Sequence, residues 1–450
     1  MIRDFFELEE SRKGEVFFRV LEAAKRADAR FEFLNWICED AAPGFPLTVK
    51  DNISTKGIPT TAGSKILKNY VPVFDATAVS RLKAAGFSVI GKTAMDEFGF
   101  GSFTTNTFRV PKNPWDPERS CGGSSGGSAC ATALLEPHVS LAESTGGSIS
   151  CPAAFCGVVG FTPSYGSVSR YGLIDYSNSL DKIGVMARSA EDAAFVFSLI
   201  SGEDGKDPTA VSVRASRKKD RFVIGVPKEY MEVSDERVAS AVENALSDLE
   251  SEGHEIIRVS LPSTELALPA YYVIAMCEAS TNLAKFCGMR YGLSGPKKEN
   301  YNEYFSRIRA MGFGEEAKRR IILGTFARMK GYRGKYYEKA LAVRKLVMDE
   351  FERVFSSVDV LCAPTMPFVA KKFSEIERME PVEHYASDVL TVPPNLAGLP
   401  HVSVPCGFVK GLPVGLHIIG RRFADWEVLR LASDFEKLRG PIDYPSEKVL

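Results

Sequence analysis

Three short segments of the sequence carry residue types that could perform hydrolytic chemistry. Lys50 lies in the segment VKDN, Ser124 lies in the Gly/Ser run GGSSGGS, and Ser148 ends the segment TGGS. A serine hydroxyl becomes a nucleophile when a base takes its proton, and an unprotonated amine can be that base. Glycines beside the serines let the backbone approach a ligand closely. Together, in this order, the segments indicate proton exchange between hydroxyls and a lysine amine.

Lys50 follows the apolar residues Leu47–Val49, a predicted strand end where a purely structural lysine is unusual. An amine accepts a proton only in its neutral form, which burial favours over the charged form. We therefore expect a buried Lys50 among hydroxyls, within reach of Ser124 and with no carboxylate nearby. Ser124 should in turn bridge to Ser148. Asp51 should point away, because consecutive side chains of a strand face opposite sides.

Two other segments match the letters of known motifs, but the local structure predicted around them does not fit those motifs. Residues Gly86–Thr93 fit the pattern of a phosphate-binding loop. Their central residues FSVI read as a buried strand after a helix, and a strand cannot wrap a phosphate with its N–H groups. A phosphate site is therefore not predicted here.

The segment Gly122–Gly126 fits the G-x-S-x-G elbow of α/β-hydrolases. An elbow requires a hydrophobic strand leading into the serine, whereas NPWDPERSC precedes it and is typical of a loop. A histidine base is also needed, and no histidine of the chain has a recognisable motif around it. The five histidines are His138, His254, His384, His401 and His417.

The elements that must position these residues alternate between strand and helix, which predicts a layered α/β fold. Predicted helices cover Val16–Trp36, DATAVSRLKAAG, Ala129–Leu135, Asp235–Glu252 and Trp426–Lys437. Predicted strands are Leu47–Val49, FSVIG, His138–Ala142, RFVIGVP, HEIIRVSLP, VDVLCAP, HVSVPCG and VGLHIIG. Residues 265–345 should be mostly helical, with a break at Gly292–Pro296. Neither a repeat nor a linker divides the sequence, so we expect one domain.

The overall charge argues against direct binding of nucleic acid or an anionic membrane. The 450 residues include 56 basic and 57 acidic ones, which gives a net charge of −1. No apolar run could span a bilayer, and the charged N-terminus does not resemble a signal peptide. The nine cysteines are scattered without a C-x-x-C pair, so neither a zinc site nor a disulfide framework is predicted. We expect a cytoplasmic protein.

The three segments resemble those of the amidase signature family. The resemblance implies one amidase domain over residues 1–450, with an α/β fold in which helices flank a mixed central β-sheet. It implies Ser148 as the nucleophile, Ser124 as a bridging serine after a cis peptide bond, and Lys50 as the base. The N–H groups of residues 145–148 should form the oxyanion hole at a helix start, where free donors favour negative charge. These last residues are Thr145, Gly146, Gly147 and Ser148.

Within that family the sequence is similar to the glutaminase subunits, called A, of tRNA-dependent amidotransferases. The similarity is dense over Phe45–Gly202 and Gly312–Lys437 and thin between Asp207 and Phe305. It implies that Arg320 binds the α-carboxylate of glutamine and that Asp388 binds its α-ammonium, because each charge of a zwitterion needs a partner.

The same similarity implies partners for the chain. The B and C subunits of the complex would join it. The B subunit would bind ATP and Mg²⁺, would hold the misacylated tRNA, and would use the ammonia to convert Glu-tRNA(Gln), Asp-tRNA(Asn) or both. This chain would then need no cofactor and no metal.

Several alternatives remain open at this point. Arg320 could lie on a solvated helix face and Asp388 could cap a helix. The chain could be a stand-alone amidase of small aliphatic or aryl amides, or a scaffold or tRNA-binding module without activity. Ser144 stands where many family members have Asp, and Ser150–Cys151 stands where Arg–Gln is common. These departures resemble the archaeal branch of the A subunits and leave the triad positions intact.

Overall fold

The computed structural model describes residues 1–213, 219–296 and 300–445. In this part of the chain eleven strands form one mixed sheet in the order β1-β3-β2-β4-β6-β5-β10-β11-β9-β7-β8. Parallel pairs join β2 to β3 and β4, and β7 to β8 and β9, while the other neighbours are antiparallel. The strands are β1 Leu34–Ile37, β2 Phe45–Lys50, β3 Phe87–Thr93, β4 Val139–Ser144, β5 Val159–Thr162, β6 Lys182–Ala187, β7 Val223–Pro227, β8 Glu255–Val259, β9 Val360–Pro364, β10 His401–Val409 and β11 Leu412–Gly420.

Helices cover both faces of this sheet. They are α1 Ile2–Glu7, α2 Glu10–Phe31, α3 Thr77–Ala84, α4 Gly126–Leu134, α5 Ser150–Cys156, α6 Ala190–Ile200, α7 Lys228–Glu232, α8 Glu236–Ser251, α9 Thr264–Asn282, α10 Tyr301–Gly312, α11 Glu315–Arg328, α12 Tyr337–Val354, α13 Phe373–Ile376, α14 Pro381–Ala386, α15 Val392–Leu396 and α16 Asp425–Arg439. Short 3₁₀ turns occur at Lys65–Leu67, Glu97–Gly99 and Leu283–Lys285. No helix in the described ranges combines the length and the apolar character needed to cross a membrane.

The alternation of side chains along β9 shows how the sheet separates two parts of the core. Val360 and Cys362 pack into the apolar cluster that includes α3, α6, α8 and α16. Leu361 and Ala363 point the other way, into the cluster built on α9 and α12. Because successive strand residues face opposite sides, a fully buried strand like β9 reads as a continuous apolar run. The predicted layered α/β fold with a mixed, helix-flanked sheet is confirmed.

The first predicted helix ends earlier than its periodicity suggested. Helix α2 stops at Phe31, and Glu32 adopts a left-handed conformation with φ 57°. The last residues of the predicted helix instead form the edge strand β1, which pairs with β3. The prediction of a helix to Trp36 is therefore wrong at its end. Strands β5 and β6 and helix α6 had no prediction.

The helical region predicted around 265–345 is confirmed as α9 to α12. Its interruption begins earlier than the predicted break at Gly292–Pro296, because α9 already ends at Asn282. Residues 297–299 lie outside the described part. Helices α9 and α11 approach so closely that a Cβ on Gly324 would lie 1.8 Å from the carbonyl oxygen of Met276.

This contact predicts that Gly324→Ala destabilises the protein. A methyl group there would force the two helix backbones apart, at a cost of about 1–3 kcal/mol in the free energy of unfolding. Gly14→Ala is the matched control, since Gly14 lies in helix α2 and a Cβ added to it would have no atom within 4 Å. That control should stabilise the protein by about 0.5–1 kcal/mol. Chemical denaturation measures both, and equal effects would contradict the close approach.

Candidate active site

The structure brings the three predicted catalytic residues to one place at the end of the sheet. Lys50 is the last residue of β2, Ser124 lies in the loop before α4, and Ser148 lies between β4 and α5. Lys50 is fully buried, and its Nζ donates a hydrogen bond to Ser124 Oγ at 2.8 Å. The peptide bond between Gly123 and Ser124 is cis, as the family resemblance implied. The predicted contact between Lys50 and Ser124 is therefore confirmed.

The two serines are connected differently from the prediction. No hydrogen bond joins the hydroxyls of Ser124 and Ser148 among the described residues, so the predicted bridge is not formed in this structure. The loops are linked through the backbone instead, where the Ser125 N–H donates to the carbonyl oxygen of Ser148 at 3.2 Å. Ser148 is 7% exposed, whereas Ser124 and Lys50 have no exposed surface. Ser148 is thus the member of the three that a substrate can reach.

The surroundings of Lys50 correct a second expectation. A carboxylate does lie close: Glu143 Oε2 is 2.8 Å from Lys50 Nζ, and the Glu143 carbonyl oxygen is 3.0 Å away. The cause is strand order, because β2 and β4 are parallel neighbours with Val49 beside Leu141. Asp51 points away from Lys50 as predicted, and its carboxylate accepts a hydrogen bond from Asn35.

Glu143 belongs to a buried polar network that sequence reasoning missed. Its Oε2 also accepts from Asn52 Nδ2 at 3.0 Å, and its Oε1 lies 2.7 Å from Thr145 Oγ1. The same Thr145 hydroxyl lies 2.8 Å from Asp181 Oδ1. Burial, together with the nearby Glu143, raises the pKa of Asp181 well above its ordinary value. A glutamate inside the apolar segment VSLAES was the available signal, because a charged residue is unusual in a buried strand.

The loop between β4 and α5 presents free backbone donors beside Ser148. The N–H groups of Gly146 and Gly147 donate to no other group in the described ranges. A Cβ on Gly146 would lie 2.5 Å from the Tyr271 hydroxyl, and one on Gly147 would lie 2.2 Å from Thr391 Oγ1. Glycine is therefore required at both positions for this loop to pack as it does. Such donors can stabilise an anion that forms next to Ser148.

Arg320 on α11 is buried, with 3% of its surface exposed. Its guanidinium donates to the Tyr176 hydroxyl at 2.5 Å and to Glu316 Oε1 at 2.8 Å. Aromatic rings surround it, including those of Phe100 at 5.0 Å and Tyr272 at 5.3 Å from Arg320 Cζ. The alternative that Arg320 lies on a solvated helix face is wrong.

Asp388 contacts Tyr272, the tyrosine whose ring also lies near this cation. Its Oδ2 accepts hydrogen bonds from the Tyr272 hydroxyl at 2.8 Å and from Ser102 Oγ at 2.9 Å. The alternative that the Asp388 carboxylate caps a helix is wrong, because these partners are side chains from other parts of the fold. Burial raises the pKa of Asp388 to about 6. Arg320 and Asp388 are therefore two buried, opposite charges around one tyrosine.

A cavity of about 170 Å³ opens beside Arg320. Asp96 lines it, accepts hydrogen bonds from the N–H groups of Thr104 and Asn106, and has a pKa that burial raises to about 6. The cavity adjoins the Ser124 loop, because a Cβ on Gly123 would lie 2.5 Å from Asp96 Oδ2. Asp96, Tyr176 and Tyr272 were not predicted from the sequence. The lining includes Phe100, Ser102, Asn106, Glu316, Arg319, His384 and Tyr385.

Both rejected motifs are confirmed as unrelated to their usual functions. Strand β3 occupies Phe87–Thr93, and Lys92 is buried with its Nζ donating to the hydroxyls of Thr55 and Thr60. No phosphate-binding loop exists there. For the elbow motif, no described histidine contacts Ser124 or Ser148. No group of three or more His, Cys, Asp or Glu side chains in the described ranges is arranged to hold a metal ion.

The buried Ser–Lys contact, the glycine-lined loop and the mixed sheet are the features of an amidase. The sequence profile described as Amidase matches residues 15–429, and the chain belongs to this family. Among its relatives, the A subunit of glutamyl-tRNA(Gln) amidotransferase of Methanococcoides burtonii is 51% identical, with 88% of this chain and 84% of that protein covered. The protein of the same name from Symbiobacterium thermophilum is 48% identical, with 93% and 87% covered.

A solved structure supports the same relationship. The crystal structure of the glutamyl-tRNA(Gln) amidotransferase A subunit from Thermotoga maritima superimposes with a TM-score of 0.84 at 38% identity, covering 99% of this chain and 96% of that one. A crystal structure described only as an amidase has a TM-score of 0.78 at 31% identity, covering 94% and 96%. The family and the fold implied by the sequence are thus confirmed.

Proposed function

We propose that this chain is the glutaminase subunit of a tRNA-dependent amidotransferase, which hydrolyses glutamine to glutamate and ammonia. The observation that carries this proposal is the buried pair of opposite charges, Arg320 and Asp388, next to the Ser124 loop. Ser102 makes the connection, since its hydroxyl binds Asp388 and its backbone lies 2.7 Å from where a Cβ on Gly123 would be. The names of the relatives, which match this chain over most of its length, support the same function.

In the proposed mechanism Ser148 attacks the side-chain amide carbon of glutamine. Ser124 takes the proton from Ser148 and passes its own proton to Lys50, which must be neutral to accept it. The relay then returns a proton to the leaving ammonia, and water hydrolyses the acyl group from Ser148. The N–H groups of residues 145–148 would stabilise the negative oxygen of the tetrahedral intermediate, each good donor being worth about 3 kcal/mol.

The proposed substrate contacts follow from charge. Arg320 would bind the α-carboxylate of glutamine and Asp388 its α-ammonium. A planar guanidinium suits a carboxylate because it can donate two parallel hydrogen bonds. An ionised Asp388 suits an ammonium, and its raised pKa leaves most of the carboxyl groups ionised at neutral pH.

The remaining parts of the proposal concern the complex. We propose that the chain acts as one domain in the cytoplasm with the B and C subunits. The B subunit would hold the misacylated tRNA, ATP and Mg²⁺, and no cofactor would bind this chain. The complex would serve tRNA(Gln), tRNA(Asn) or both, and this chain would belong to the archaeal-like branch of the A subunits. Glutaminase assays with and without the partner subunits test this function, and hydrolysis of simple amides in preference to glutamine would contradict it.

Ser148→Ala should abolish glutamine hydrolysis while the fold is retained. The change removes one hydroxyl from a loop and should lower kcat by about 10³-fold or more. Ammonia release measures the activity, and circular dichroism and the melting temperature measure the fold. Substantial turnover by the folded variant would exclude Ser148 as the nucleophile.

Lys50→Arg should be nearly as damaging as Lys50→Ala. Arginine keeps a positive charge beside Glu143 but cannot lose its proton in a protein, so it cannot take one from Ser124. Steady-state kinetics of the two variants should show losses of about 10²-fold or more in kcat. Turnover of Lys50→Arg close to that of the wild type would mean that Lys50 acts only through its charge.

Arg320→Ala and Asp388→Ala should impair glutamine far more than an uncharged amide. Each lost charge contact in a buried site should raise the activation free energy that corresponds to kcat/KM for glutamine by about 2–4 kcal/mol. The KM for glutamine should also rise as the pH falls through about 6, because Asp388 then becomes protonated and loses its attraction for the ammonium. Equal losses on both substrates, or a KM independent of pH, would give these residues a structural role instead.

A further inference from the structure

The contact between Lys50 and Glu143 is not explained by the proposed proton relay. Lys50 Nζ lies 2.8 Å from Glu143 Oε2, and both side chains are almost completely buried, at 0% and 2% exposed. Asn52 Nδ2 donates to the same oxygen at 3.0 Å. A base held next to an anion in this way would rest as a cation, and a cation cannot take a proton from Ser124. The relay therefore needs a place for the proton that Lys50 carries.

The second oxygen of Glu143 faces a shared hydroxyl. Thr145 Oγ1 lies 2.7 Å from Glu143 Oε1 and 2.8 Å from Asp181 Oδ1. One hydroxyl proton can serve only one of these two carboxyl groups. Both short contacts are hydrogen bonds if one carboxyl group is protonated and donates to the threonine oxygen. Asp181 is suited to this, because burial and the adjacent Glu143 raise its pKa. A continuous series of hydrogen bonds then connects Asp181 through Thr145 to Glu143 and Lys50.

We propose that Glu143 is a positioning residue that holds the proton which Lys50 must give up before it can act as the base. This inference rests on the proposed function. The Lys50–Glu143 pair has one proton to share, either as ammonium and carboxylate or as amine and carboxylic acid. Neither form changes the net charge of the buried pair, so the transfer places no new charge in the interior. The amine form of Lys50 is the one that accepts from Ser124.

The steps balance as follows. A proton moves from Lys50 Nζ to Glu143 Oε2, which leaves a neutral amine and a carboxylic acid. Ser124 then gives its proton to Lys50 and takes the proton of Ser148, as Ser148 forms its bond to the amide carbon. On collapse of the intermediate the protons return from Lys50 through Ser124 to the leaving nitrogen, which departs as ammonia. Water then attacks the acyl carbon and gives a proton to Ser124, which passes its own to Lys50, and the same relay returns a proton to Ser148 as glutamate leaves. Glu143 finally returns its proton to Lys50.

Other charged groups face this pair and must be considered in its titration. Asp181 lies beyond Thr145, and the charge of Asp175 contributes to the raised pKa of Asp181. Asp96 is close enough for Lys50 to lower its pKa, against a larger rise caused by burial. A protonated Asp181 adds no charge beside the Lys50–Glu143 pair. Between pH 6.5 and 8.5, above the pKa of about 6 at which Asp388 becomes protonated, the wild type should then have a kcat/KM that changes little with pH, since the neutral pair is the active unit.

Glu143→Gln tests the inference, because it keeps the shape of the side chain and removes its ability to hold a proton. At pH 7 its kcat/KM for glutamine should be about 100-fold or more below that of the wild type. Lys50 must then lose its proton to solvent, so the neutral fraction grows with pH. The ratio of variant to wild-type kcat/KM should rise about tenfold per pH unit between pH 6.5 and 8.5. The measurement uses the chain assembled with its proposed partner subunits.

Asp28→Asn is the matched control, since it also replaces a buried carboxylate beside a cation with an amide of the same shape. Asp28 is 3% exposed, its Oδ2 lies 2.7 Å from Arg109 Nη1, and it makes no hydrogen bond with Lys50, Ser124 or Ser148. The ratio of the kcat/KM of Asp28→Asn to that of the wild type should not change with pH. A Glu143→Gln variant with a constant ratio, or with unchanged or faster turnover at pH 7, would overturn the inference. A wild type without glutaminase activity would overturn the proposed function, and this inference with it.

A second pair of variants keeps the test independent of the folding of Glu143→Gln. Thr145→Val removes the hydroxyl that links Glu143 to Asp181, and Thr145→Ser keeps it. Thr145→Val should lower kcat by about tenfold with little change in KM, because the Glu143 carboxylate loses a donor and faces Asp181 directly. Thr145→Ser keeps this donor and should lower kcat clearly less than Thr145→Val does. Equal kcat values for the two variants would contradict the link between the carboxyl groups.

Discussion

The burial of Lys50 is the constraint on which the rest of the active site depends. A lysine amine with no exposed surface must find all its hydrogen-bond partners within the protein. Three oxygens serve it, namely Ser124 Oγ and the carbonyl and Oε2 of Glu143. These partners fix the Ser124 loop against the end of β4, and the hydrogen bond from Ser125 to the Ser148 carbonyl then fixes the loop of the proposed nucleophile. The site is therefore assembled outward from one buried amine.

Close backbone packing makes that assembly possible. The Gly/Ser run could have been a flexible linker, but its glycines are surrounded on all sides. A Cβ on Gly126 would lie 2.5 Å from Thr104 Oγ1, and one on Gly127 would lie 2.5 Å from the Phe33 carbonyl oxygen. Glycine thus serves here to let the backbone approach neighbouring groups closely, and of the glycines in this run Gly122 also has a positive φ of 79°. The serines of the run, Ser124, Ser125 and Ser128, accordingly have no exposed surface.

This difference between local pattern and spatial neighbourhood explains what could be predicted from the sequence. Lys50, Ser124 and Ser148 could be found because each lies in a short segment whose glycines or apolar neighbours carry the information. Glu143 could not be placed beside Lys50, since that contact depends on the pairing of β2 with β4, which no local pattern encodes. Strand β1 was mistaken for helix for the same reason. Its residues continue the apolar periodicity of α2, and only pairing with β3 makes them a strand.

The charged groups around Arg320 likewise come from distant parts of the sequence. The buried guanidinium faces Glu316, and the carboxyl groups of Asp96 and Asp388 lie nearby with pKa values that burial raises to about 6. Three carboxyl groups thus lie around this one buried guanidinium. A bound zwitterion would add one charge of each sign, so its ammonium would favour the ionised form of Asp388 while its carboxylate shared Arg320. A neutral amide offers neither contact, and it would leave the carboxyl groups as costly to ionise as before. The proposed preference for glutamine would then arise from the desolvation already present in the folded protein, because only a zwitterion relieves it.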